Sequence, residues 1–161
     1  MNQAAYNELI ASLEFGNVTL SELTASSKGS DLGQATIRVQ SEFTAVCLER
    51  HAQGFMAQAR LVLSFLNEDT EVGNITCAYC LHYTSSVELT DEMFKEFSKF
   101  NVPANAWPFL REIVMTTTQR FGWSGFVLPP YKIPFSTPSE SPAPKKKSAR
   151  AAVPAVKKAR S

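Results

Sequence analysis

Residues 55–65 read Phe55-Met56-Ala57-Gln58-Ala59-Arg60-Leu61-Val62-Leu63-Ser64-Phe65. Phe55, Ala57, Ala59, Leu61, Leu63 and Phe65 share one parity, and Gln58, Arg60 and Ser64 lie on the other. A repeat of two is the signature of a half-buried strand. Two neighbours repeat it. Upstream, Ala35, Ile37 and Val39 lead to Phe43, with Thr36, Arg38, Gln40 and Glu42 opposite. Downstream, Ile75, Cys77, Tyr79, Leu81 and Tyr83 alternate with Thr76, Ala78, Cys80, His82 and Thr84. The connections, about Leu48 to Gly54 and Asn67 to Asn74, are short and polar, which suits antiparallel neighbours. A fourth candidate runs from Leu13 to Leu23. Its apolar parity switches from Leu13 and Phe15 to Val18 and Leu20, and Gly16-Asn17 at the break predicts a bulge. Thr24 to Gln34 reads as a loop. The expectation is a four-stranded antiparallel sheet with one apolar face and one polar face. The polar face would carry Arg38, Gln40, Glu42, Gln58, Arg60, Thr76 and His82. The strand at Leu13 to Leu23, if at an edge, could pair with a second subunit.

Helical spacing follows the strands. Thr90 is a suitable N-cap, Asp91 and Glu92 suit the positive end of the dipole, and Met93, Phe94, Phe97 and Phe100 share a face. Asn101-Val102-Pro103 predicts the end of that short helix. Pro108 then opens a second helix. Its stripe is Leu110, Ile113, Val114, Thr117 and Phe121, with Gly122 closing it. Pro129, Pro130 and Pro134 exclude helix beyond that point. The segment is nevertheless rich in aromatics, so it is either packed down or available to a partner. The fold class is α+β, with a domain over 1–135. Residues 136–161 shift to Pro, Ser, Ala, Lys and Arg, and predict a disordered basic tail.

The chain has 161 residues, 44% of them hydrophobic, enough for one core and a tail. Its net charge of +1 conceals an asymmetry: 136–161 carry seven Lys or Arg against Glu140, leaving about −5 on 1–135. No stretch reaches the roughly 18 apolar residues of a membrane span, and no basic-then-apolar leader is visible. Three cysteines do not form a disulfide framework, and a reducing cytoplasm is the expected setting. Cys77 and Cys80 stand three apart on a strand and so point to opposite faces; no metal site is expected. His51 and His82 have no nucleophile pattern around them, and no glycine-rich phosphate loop occurs, so neither catalysis nor a cofactor is expected. The basic tail could attract nucleic acid non-specifically, although it lacks aromatics to stack on bases.

Four antiparallel strands followed by Trp107-Pro108-Phe109-Leu110-Arg111-Glu112 resemble the SecB family of chaperones. In that family the long helix opens with an aromatic, a proline, a second aromatic, a variable residue and Arg-Glu. Gly125-Phe126-Val127-Leu128-Pro129-Pro130 is similar to the apolar, proline-bearing stretch after that helix. The spacing of Phe97, Asn101, Asn105 and Trp107 is nearer the SecB-like relatives than the export chaperone. The resemblance covers roughly 10–135. It implies an ATP-independent cytoplasmic holdase, a dimer of dimers, that binds unfolded chains in hydrophobic grooves. The clients would be preproteins passed to the translocation ATPase, or one antitoxin of a toxin–antitoxin module. The client-binding residues expected are Trp107, Phe109, Phe121, Trp123, Phe126, Leu128 and Tyr131. The tail departs from the family, whose C-terminus is acidic.

Overall fold

The computed structural model describes residues 2–28, 37–123 and 126–132. The expected tail at 136–161 lies outside the described residues, as do most of the expected linker at 24–34 and Ala35, Thr36, Gly125, Pro134 and Phe135. The chain order is α1 (Gln3–Ser12), β1 (Glu14–Ser27), β2 (Ile37–His51), β3 (Gly54–Asn67), β4 (Thr70–Thr84) and α2 (Asp91–Arg120). The strands form one antiparallel sheet in the order β1-β4-β3-β2. β1 and β2 are therefore its edges.

The three alternating segments form strands longer than their apolar repeats. β2 continues to His51 and β4 begins at Thr70, so the expected loops shrink to residues 52–53 and 68–69. Gly54, at φ 149°, permits the first turn, because a Cβ there would lie 2.1 Å from the Tyr83 carbonyl oxygen. Every second residue of β3, from Phe55 to Phe65, is buried. The predicted bulge in β1 is present between Phe15 and Val18. A second one, not predicted, falls between Leu20 and Glu22.

The expectation of two helices is corrected: α2 is a single helix of 30 residues with Pro103 and Pro108 inside it. A proline removes one helical hydrogen bond and crowds the carbonyl four residues back. For Pro103 that carbonyl belongs to Lys99, and the Tyr131 hydroxyl donates to it at 2.8 Å. Pro103 is itself fully buried, so apolar burial offsets the rest of the cost. Thr90 caps the start, its hydroxyl accepting from the Met93 N–H at 3.2 Å.

α2 lies across the apolar face of β4, β3 and β2 and buries Phe97, Val102, Ala106, Leu110 and Val114 completely. α1 had no sequence expectation. Asn2 caps it, and Tyr6 and Leu9 are its buried residues. The outward face carries the expected polar residues, among them Gln58, Arg60, Thr76 and His82, together with the apolar Val46, Met56 and Val62. There Arg60 donates to Glu22 at 3.0 Å, from the two strands that flank Ala78 on β4. Cys77 points into the core and Cys80 to the outward face, as alternation requires.

Candidate functional site

Because α2 crosses three strands, it leaves the inner side of β1 uncovered. The second bulge determines what is displayed there. Leu20 pairs with Tyr79, Glu22 with Ala78 and Leu23 with Cys77. The extra residue, Ser21, resets the alternation, so Leu20 and Leu23 both face the helix side. They remain 45% and 42% exposed. Opposite them on α2 stands Phe109, 37% exposed, whose ring meets Tyr79 at 5.8 Å. Ile113, one helical turn further on, is partly buried. Leu20, Leu23 and Phe109 thus leave a strip of half-exposed apolar side chains around Tyr79, between β1 and α2, called the β1 channel below. Nearer the start of α2, α1 is tied to it where the Tyr6 hydroxyl donates to Asn101 at 3.3 Å. Asn105, one turn below, donates to the Tyr83 hydroxyl at 3.1 Å.

The other flank of α2, toward β2, is filled by the chain itself. Gly122, at φ 75°, ends the helix. Its N–H bonds to the Gln119 carbonyl at 3.0 Å and that of Trp123 to Thr118 at 2.9 Å. This pattern is a Schellman turn. It sends Trp123 inward against Phe65, ring centroids 4.8 Å apart. Residues 126–132 then return along α2. Phe126 packs on Phe65 at 5.1 Å, Leu128 is buried, and Trp107 Nε1 donates to the Pro129 carbonyl at 2.7 Å. The Trp107 ring also meets Tyr131 at 5.5 Å and Phe43 of β2 at 6.4 Å. A pocket of about 310 Å³ remains between Ala104, Trp107, Pro108 and Arg111 on one side and Pro130 and Tyr131 on the other.

The expected client-binding residues therefore divide. Phe109 stands in the β1 channel. Trp107 and Tyr131 line the pocket on the β2 side, while Phe121 and Phe126 are half-buried supports. Trp123 and Leu128 pack into the core of the single chain, at 6% and 4% exposure. Aromatic and branched side chains beside an uncovered sheet pack down wherever the backbone can deliver them. Leu20 and Leu23 were missed, since a serine bulge has no signal like that of Gly16-Asn17. The helix motif serves both flanks: Phe109 faces β1, Trp107 and Arg111 face the returning segment, and Leu110 enters the core.

This sheet, crossed by one long helix, is the fold of a SecB-like chaperone. A solved SecB-like chaperone from Mycobacterium tuberculosis, in complex with a ChAD peptide from the HigA1 antitoxin, superposes with a TM-score of 0.73 at 16% identity. The match covers 83% of this chain and 100% of that one. A protein of unknown function from Streptococcus agalactiae superposes with a TM-score of 0.40 at 11% identity, over 73% of this chain and 96% of that one. No protein-family model matches the sequence, and no curated protein does. No helix among the described residues is long and apolar enough to cross a membrane.

Proposed function

We propose that this protein is a chaperone that holds an extended apolar segment of a non-native polypeptide without nucleotide hydrolysis. The observation that carries the reading is the β1 channel, where Leu20, Leu23 and Phe109 stand half-exposed together on a fold shared with a chaperone. Burying the exposed part of such side chains under a client contributes roughly 0.5–1 kcal/mol each and selects for exposed apolar sequence rather than for one motif. Folding withdraws that sequence, so the client releases itself. The protein is then a binding protein and not an enzyme, acting in the cytoplasm as an oligomer, a dimer of dimers by family resemblance.

The client favoured is an antitoxin, because the solved neighbour holds an antitoxin peptide. The alternative is a general holdase that passes preproteins to the translocation ATPase. Suppression of aggregation of a diluted unfolded protein tests the shared reading. The triple variant Leu20→Ser, Leu23→Ser and Phe109→Ser should keep its circular dichroism and bind clients roughly 10- to 100-fold more weakly. Undiminished suppression by that variant, at unchanged oligomer size, would sink the proposal. Polypeptides co-purifying from the native host separate the two clients: one small partner accompanied by a toxin, or many precursors carrying signal peptides.

A further inference from the structure

We propose that the channel on the β2 flank of α2 is a second polypeptide-binding site. The chain's own residues 126–132 occupy it, and an extended, proline-bearing apolar client segment takes their place. The inference rests on the chaperone reading above and extends it to a site whose occupant is already visible.

Residues 126–132 are held as a ligand would be held. Among the described residues no backbone-to-backbone hydrogen bond ties them to the rest of the chain. Two side chain-to-backbone bonds do so instead: Trp107 Nε1 to the Pro129 carbonyl and the Tyr131 hydroxyl to the Lys99 carbonyl. The remaining hold is apolar, with Leu128 inserted and Phe126 against Phe65. On the host side the Trp107 ring, with Phe43 of β2 at 6.4 Å, is an aromatic surface with an indole donor, of the kind that recognises proline-bearing segments. The segment does not fill its channel, because the 310 Å³ pocket remains beside Pro130 and Tyr131. The Lys99 carbonyl, freed by Pro103, is an acceptor that any hydroxyl-bearing client side chain can use.

A dye-labelled peptide Phe-Val-Leu-Pro-Pro-Tyr-Lys, the sequence of 126–132, is titrated by anisotropy against the full chain and its Tyr131→Phe and Leu128→Ala variants. Losing one hydrogen bond loosens the resident segment, so Tyr131→Phe should bind the peptide about 2- to 10-fold tighter than wild type. Leu128→Ala should exceed that. If Leu128→Ala does not fold, Tyr131→Phe decides alone. Equal affinity in every form, or weaker binding by the variants, overturns the proposal. Reduced, carboxymethylated lactalbumin is the second probe. Displacement of the labelled peptide by it supports the proposal. Lactalbumin bound with the peptide left in place overturns the second site and spares the chaperone reading. Tighter peptide binding with no lactalbumin binding at all supports the channel and removes the chaperone reading.

Discussion

A single hydrogen atom decides whether Trp123 can reach the core. At Gly73 on β4 a Cβ would lie 2.3 Å from the Trp123 ring and 2.7 Å from the Ser26 carbonyl oxygen. Gly73→Ala should therefore destabilise the chain by about 1–3 kcal/mol in urea unfolding, with a changed tryptophan emission. The cost should shrink when Trp123 is also replaced by Leu, which removes one of the two collisions. Two buried acids make a separate statement about pH. Burial pushes the Tyr83 phenol from 10.0 up to about 12, against the Asn105 hydrogen bond, which lowers it. Burial first, then the Glu22 charge, pushes the Cys77 thiol from 9.0 up to about 11, while Arg60 opposes them. Both native values are raised, so the unfolded chain loses these protons first. Their stability is complete below pH 9, falls as pH rises through 9–12, and is worth on the order of 2 kcal/mol each. Tyr83→Phe should flatten the decline between pH 10 and 12 in urea midpoints measured across that range.

Among the elements, the turn after α2 carries the most consequence for the site, because it aims residues 126–132 along the helix. Gly122 meets no atom within 4 Å of a built Cβ, so only its φ of 75° resists substitution. Gly122→Ala should cost about 1 kcal/mol and expose Tyr131 to chymotrypsin faster than in wild type. Gly122 was legible from the sequence because a positive φ demands glycine. The central strands were legible for a similar reason: one face buried and one wet forces a period of two. α2 was misread as two helices, since the partner that satisfies Lys99 stands 32 residues away at Tyr131 and local spacing cannot reveal it. α1 escaped because Tyr6 and Leu9 alone are buried in it, too few to print a stripe. Phe109 lies in the expected motif and stands half-exposed beside Tyr79. Leu20 and Leu23 depended on a bulge at Ser21, whose hydroxyl donates to the Ala78 carbonyl at 3.1 Å and accepts from Gln58 Nε2 at 3.4 Å.

At the scale of the molecule, charge and apolar surface make opposite demands, and salt separates them. The body over 1–135 carries about −5 and 136–161 about +6, while the β1 channel presents Leu20, Leu23 and Phe109. A function carried by the channel depends on apolar area, which moderate salt leaves intact and sulfate strengthens. A function carried by the basic residues depends on released counterions and weakens steeply as salt rises. Removing 136–161 should therefore leave suppression of client aggregation within about 2-fold of the full chain, at both 50 and roughly 300 mM salt. Any affinity for nucleic acid should vanish with those residues. The opposite pair of results, suppression lost with the basic residues and lost again in salt, would place the activity on electrostatic attraction. The body would then be a scaffold, and Leu20 and Leu23 would be exposed for some other purpose, such as pairing of β1 with a second copy.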